Sequence, residues 1–135
     1  MDFFQKLLWD IGEKVGLPLH TDENQNCKLI IDEKMALQLA ISPCTEFVIA
    51  ALFIAEIPAG PFRVKVLEKA LSLNGQKPDE GAFSYNQRYN ALVLENFFPK
   101  VSITESELTP KLESMSERGL IWHEAILSGN LNLVV

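Results

Sequence analysis

Cysteine and histidine are scarce in this chain of 135 residues, which has two of each. Cys27, Cys44, His20 and His123 fit no metal-ligand spacing such as HExxH or CxxC, so no metal centre is expected. The glycines form neither a GxxxxGK(S/T) nor a GxGxxG pattern, and the nearest candidate, "AGPFR", lacks what a phosphate cradle needs. No cofactor is expected. Basic residues are outnumbered, 12 against 18 acidic, giving a net charge of −6 and an isoelectric point near 4.9. A chain of this sign repels phosphate backbones and anionic headgroups, which argues against nucleic acid and membrane surfaces as partners. Long apolar runs are also missing. The longest, Phe47 to Ala55, falls well short of the roughly 20 residues of a spanning helix, so no membrane insertion is expected.

Catalytic groups are equally sparse. A Cys–His nucleophilic dyad is conceivable, but both cysteines lie in or beside apolar, strand-like sequence, which raises a thiol pKa and blunts reactivity. The acidic pairs Asp22-Glu23, Asp32-Glu33, Asp79-Glu80 and Glu105/Glu107 fall in turns or at a helix start, where acids serve solubility and capping. No catalytic residue is assigned, and the chain reads as non-enzymatic. The opening "MDFFQKLLWD" interleaves charge with apolar residues, unlike a secretory signal. Reduced core cysteines and a cytoplasmic location are the expectation.

What is present is apolar residue in quantity: 47% hydrophobic against 22% charged. That balance suits one globular domain over residues 1–135, burying roughly 65–70% of its unfolded surface. Residues 2–16 predict an amphipathic helix, with Phe3, Phe4, Leu7, Leu8, Ile11 and Val15 on an arc of about 140° and Gly16 ending it. Trp9 falls on the opposite, charged side, either lying flat on a neighbouring loop or touching a partner. "CKLII", then "MALQLAI" with its period of two, then the unbroken run "EFVIAALFIA" predict three strands. Short connections make them an antiparallel meander, and the absence of alternation in the third suits a central strand covered on both faces.

"PFRVKVLEKALSLNG", residues 61–75, predicts a helix opened by Gly60-Pro61 and stopped at Asn74-Gly75. "AFSYN" and "ALVLENFF" predict a second hairpin. A final helix begins near Thr104, with Thr104 and Glu107 as a capping-box pair. Pro110 either kinks this helix or begins a restarted one behind Thr109. The fold class is therefore α+β, ordered α-β-β-β-α-β-β-α, with helices packed on an antiparallel twisted sheet.

The middle helix carries a surplus. Its apolar residues spread over roughly 200° of circumference, whereas a surface helix needs a stripe little wider than 100°. Two accounts fit: the last helix covers the second face within a monomer, or a second subunit covers it across a twofold axis. The latter needs about 600–800 Å² buried per subunit.

In order, spacing, length and acidity these segments resemble class I type III secretion chaperones of the Tir-chaperone (CesT) family. "FFQKLLWDIGEKVGLPL" resembles their first helix and "NCKLIIDEKMALQLAI" with "EFVIAALFIAEIP" their meander. "FRVKVLEKALSLNG" resembles their dimerisation helix, "GAFSYNQRYNALVLENFF" their second hairpin and "ITESELTPKLESMSERGLIWHEAIL" their closing helix. The resemblance implies a dimeric, ATP-independent chaperone that binds the N-terminal segment of a secreted effector protein and keeps it non-globular and secretion-competent. It implies Val64, Leu67, Ala70, Leu71 and Asn74 as a dimer face, in a homodimer or a heterodimer with a related chaperone. It implies Phe4, Leu8, Ile11, Leu29, Ile31, Met35 and Leu37, with Trp9 as a partner contact, as cargo patches or the core beneath them. An alternative function keeps the fold: a regulatory protein that sequesters a transcription or secretion-apparatus component.

Overall fold

A computed structural model describes residues 2–77 and 80–134, so the Asp79 half of the Asp79-Glu80 pair lies outside the described residues. The elements are α1 (Phe3–Val15), β1 (Cys27–Ile31), β2 (Met35–Ile41), β3 (Phe47–Glu56), α2 (Pro61–Leu73), β4 (Ala82–Asn86), β5 (Ala91–Pro99) and α3 (Glu105–Ser128). A 3-10 turn, Leu131–Leu133, follows α3. The predicted α+β class and element order are those observed. The five strands are antiparallel throughout and lie in the order β1-β2-β3-β5-β4, which puts β3 at the centre.

Local chemistry sets the helix ends. Asp2 accepts the Gln5 N–H at 2.8 Å while the Gln5 side chain accepts the Asp2 N–H at 3.2 Å, closing a capping box on α1. Gly16, at φ 76°, supplies the left-handed residue that stops the helix. At α3 the predicted capping box does not form. The Glu107 N–H is taken by the Thr104 carbonyl at 3.2 Å, and the Thr104 hydroxyl pairs with Ser106 Oγ at 3.1 Å instead. Helix α3 runs unbroken through Pro110, so the restart behind Thr109 does not occur; the Thr109 hydroxyl donates to Glu105 Oε1 at 3.0 Å. Pro110 is tolerated because it and Ser106, whose carbonyl loses its i+4 donor, both face solvent, where water can replace the missing bond.

One sheet face is the core. It carries Met35, Leu37 and Leu39 of β2, Val48, Ala50, Leu52 and Ile54 of β3, and Leu92, Leu94 and Phe98 of β5, all buried. Each fully buried leucine or isoleucine here is worth about 1.5–3 kcal/mol in transfer free energy. Phe4, Leu7, Leu8 and Ile11 of α1, and Leu108, Leu112, Met115 and Trp122 of α3, complete this cluster. Gly119 brings α3 close to the sheet: a Cβ there would strike the Leu52 side chain and sit 3.4 Å from Met35 Sδ. Val15, expected on the apolar arc, is exposed at the helix end.

The expectation that β3 is covered on both faces is corrected. Its burial alternates strictly: Val48, Ala50, Leu52 and Ile54 are buried, while Phe47, Ile49, Ala51, Phe53 and Ala55 are only half-buried. The second face is apolar but open. Both kinds of neighbour are hydrophobic, which erased the alternation in the sequence. A bulge between Phe53 and Ala55 shifts the β3–β5 register, and there the buried His123 reaches the Ile54 carbonyl.

Beside the β4 edge lies α2, whose buried residues are Val66 and Ala70. Asn74 fixes its C-terminal end by bonding both backbone groups of Phe83, accepting from the N–H at 2.7 Å and donating to the carbonyl at 2.9 Å. Arg63 donates to the Ile57 carbonyl through Nε and Nη2 at 2.9 and 2.6 Å, and Lys69 donates to the Leu131 carbonyl at 3.1 Å. Cys27 is buried as expected, but Cys44 is exposed, a correction that follows from the turn between β2 and β3.

Candidate partner-binding surfaces

Three places gather apolar side chains that the fold leaves open, while Val101, Ile121, Leu127 and Leu133 are exposed outside them. The first is on α2. With Val66 and Ala70 turned inward, Val64 (54% exposed) and Leu71 (58%) point away from the chain, and Leu67, half-buried, lies between. At 100° per residue these three share an arc of roughly 60°. The last helix does not cover them. Of the dimer-face residues, Ala70 is packed inside its own chain, and the Asn74 amide is committed to Phe83.

The second is a groove of about 620 Å³ between α1 and the segment that follows it. Leu8 and Gly12 contribute from the helix, Leu17, Leu19 and His20 from the segment, and Trp9 stands at the rim, 57% exposed. The capped end at Gly16 turns the chain back along α1, which is what creates the groove. Trp9 thus lines a concavity shared with the loop.

The third is the open face of the sheet. Residue pairing aligns Ile30, Ala36 and Phe53 in one row, which ends at the buried Val93, and Ala40, Ile49 and Phe97 in another. Ile30 and Phe97 are more than half exposed. Two edge-to-face aromatic pairs brace the ends, Phe47–Phe97 at 6.3 Å and Phe53–Tyr89 at 6.0 Å. The sequence marks the stretch from Phe47 as surplus apolar area but does not separate its open face from its buried one. The signal was there in the odd-numbered positions 47 to 53, had the apolar run been split by parity.

The cargo-patch residues divide accordingly. Phe4, Leu8, Ile11, Met35 and Leu37 belong to the core beneath the surface, although Leu8 and Leu37 contribute atoms to surface hollows. Leu29 and Ile31 are half-buried on the edge strand β1 and pack on the core. Trp9 alone among them is exposed.

Titratable chemistry is modest. Burial pushes the Cys27 thiol up, whereas the Ser42 hydroxyl, with help from the Glu46 backbone N–H, holds the exposed Cys44 below the ordinary thiol value. The Cys44 and Ser42 atoms are 3.3 Å apart. Lys34 and Glu124 form an exposed pair at 2.9 Å, which raises the lysine and lowers the glutamate. Among the described residues there is no cluster of His, Cys, Asp and Glu that could hold a metal, and no helix long and apolar enough to cross a membrane.

Comparison with solved structures finds this arrangement elsewhere. A chain of the HopA1–SchA chaperone–effector complex superposes with a TM-score of 0.72 at 22% identity, covering 91% of this chain and 94% of that one. A chain of the ExsC–ExsE complex gives 0.76 at 16% identity, covering 90% and 92%. A chain of the Yersinia pestis type III secretion chaperone SycH in complex with a stable fragment of YscM2 gives 0.65 at 15%, covering 87% and 97%. At these identities the likeness is one of fold. No curated protein matches the sequence. The sequence pattern of the Tir chaperone protein (CesT) family matches residues 6–118, from the first helix into the last, and the chain belongs to that family.

Proposed function

We propose that this protein is a cytoplasmic, ATP-independent type III secretion chaperone that binds the N-terminal segment of a secreted effector and holds it non-globular. One observation carries the reading: apolar surface stays open in three separate places on one chain. Separate patches suit a segment that wraps, burying a few side chains at each, better than a compact ligand in one pocket. The family supports it, and so do structural neighbours described as chaperone–effector complexes. A protein that works by covering apolar segments has no need of reacting groups.

In this reading the Val64–Leu67–Leu71 stripe pairs subunits, as a homodimer or with a related chaperone. The α1 groove and the open sheet face receive the effector. Trp9, Ile30, Phe53 and Phe97 are its contacts, with Leu29 and Ile31 at the sheet margin. Hydrogen exchange on the protein co-expressed with an effector N-terminal segment tests this. Added protection on α1 and β1–β3, with the segment itself remaining without cooperative structure, is expected. Protection confined to other elements, or a segment that folds into its own core, overturns it.

A further inference from the structure

Two arginines lean on aromatic rings near β4, and their situations differ. Arg63, 5.4 Å from the Tyr85 ring centre, spends its donors on the Ile57 carbonyl. Arg118 of α3 lies 4.7 Å from the Phe83 ring centre, and no acceptor among the described residues is within hydrogen-bond distance of it. Its nearest counter-charge is Glu80, 3.9 Å from Nη1 and itself half exposed. The platform under Arg118 is rigid. The Phe83 ring packs at a tilt of 50° against the buried Trp122, centroids 4.8 Å apart, and Asn74 holds both backbone groups of Phe83. The guanidinium is therefore held by stacking, 23% exposed, with its planar donor fork unspent.

This fork opens on a cleft of about 450 Å³. Lys111 and Ser114 project into it from the same side of α3, at helical spacings of seven and four from Arg118, and Lys77 closes the far wall. Among the described residues of the lining, Lys77, Lys111 and Arg118 stand with Glu80 and Glu117, in a chain whose net charge is −6. Three cations gathered in one cleft of an acidic protein favour an anionic group. A stacked guanidinium with free donors presents the geometry of a bidentate carboxylate contact, and its orientation is already fixed before binding.

We infer that this cleft is a carboxylate-recognition site, in which Arg118 takes an aspartate or glutamate side chain of a bound polypeptide while Lys77 and Lys111 attract it. The site adds a polar anchor to three apolar surfaces, and so specifies which part of a wrapping segment lies over α3. It rests on the reading of the chain as a polypeptide-binding chaperone, but a short acidic peptide tests it without any effector.

The test follows the arginine Nε–Hε resonances of the full chain by NMR during titration with tetraglutamate, with inorganic phosphate and sodium chloride as separate arms at matched ionic strength. A saturable shift of Arg118, with Arg63 unmoved, is expected with tetraglutamate. Arg118→Lys retains charge but loses the fork, and it is expected to abolish the saturable shifts of the backbone amides of Lys111 and Ser114 that accompany binding in the parent, with thermal unfolding reporting any effect on the Phe83 contact. Lys111→Gln leaves that contact alone and is expected to weaken binding by up to about fivefold, the range of an exposed charge pair. Equal shifts with sodium chloride show screening only and overturn the site. A response to phosphate alone overturns the assignment to a carboxylate. Failure in either way leaves effector protection at α1 and the sheet unaffected.

Discussion

Nδ1 of His123 lies 2.6 Å from the carbonyl oxygen of Ile54, the residue at which β3 bulges out of register with β5. A carbonyl only accepts, so Nδ1 carries the proton and donates. The bulge takes Ile54 out of the paired register, and α3 supplies the donor from 69 residues away. His123 is thus a structural fastener between the central strand and the closing helix.

Replacing it shows what that bond contributes. His123→Ala leaves the Ile54 carbonyl buried and unpaired, and a loss of about 1–3 kcal/mol is expected. Urea unfolding, read as a lower midpoint at unchanged slope, measures it. An unaltered midpoint means that water enters and takes over the carbonyl.

The pairing role proposed for the α2 stripe can be tested apart from folding. Leu71→Asp alters a side chain that is 58% exposed, so the cost to the chain's own stability stays within about 0.5 kcal/mol. Sedimentation is expected to show a folded monomer in place of a dimer. Ala70→Asp, one residue earlier and fully buried, is expected to lose the fold itself, read by circular dichroism. A Leu71→Asp protein that still dimerises puts the interface elsewhere.

Asp22 gives an acid-side signature. Its carboxylate accepts the Asn26 N–H at 3.0 Å and the Asn24 N–H at 2.8 Å, and these bonds, Asn26 first, hold its pKa below the ordinary 3.8. A depressed folded value means the contribution is fully present above about pH 3.9 and fades as the pH falls through the lower folded pKa. Asp22→Asn is therefore expected to differ from the parent in stability above that range and to converge with it in stronger acid. Parallel curves across the whole range contradict the assignment.

The two thiols are expected to react in sequence. Cys44 is exposed with a lowered pKa, and Cys27 is buried with a raised one. Iodoacetamide at neutral pH then adds one carbamidomethyl group at Cys44, and a second at Cys27 only when the chain opens. Intact-mass spectrometry distinguishes this from simultaneous labelling.

The order of elements along the chain, the meander, the second hairpin and all three helices were legible in the sequence because each carries its own period or its own stop, whereas the pairing of β3 with β5 was not. Gly60-Pro61 and Gly16 are local signals, and local signals suffice for element ends. What was not legible depended on what covers what. The run from Phe47 to Ala55 reads as doubly buried because both of its faces are hydrophobic, and only the packing of α3 against Leu52 tells them apart. Met35 and Leu37 have the same periodicity whether they meet a partner or a helix of their own chain. The cap at Asp2 was overlooked although Gln5 stands in the right place, whereas Thr104 and Glu107 have the right letters and make no side-chain cap. Arg118 gave no signal at all, since its significance lies in Phe83 and Trp122, far apart in sequence.

The grip of Asn74 on Phe83 makes the two margins of the sheet unequal. A strand margin ordinarily offers a ladder of spare amides and carbonyls to any passing chain. At β4 the rung at Phe83 is already occupied by a side-chain amide acting as a one-residue strand, while β1 keeps its outward rungs and an uncovered Ile30. A polypeptide that lengthened this sheet would have to displace the Asn74 amide at β4, an obstacle that no hydrogen bond among the described residues sets along residues 27–30 of β1.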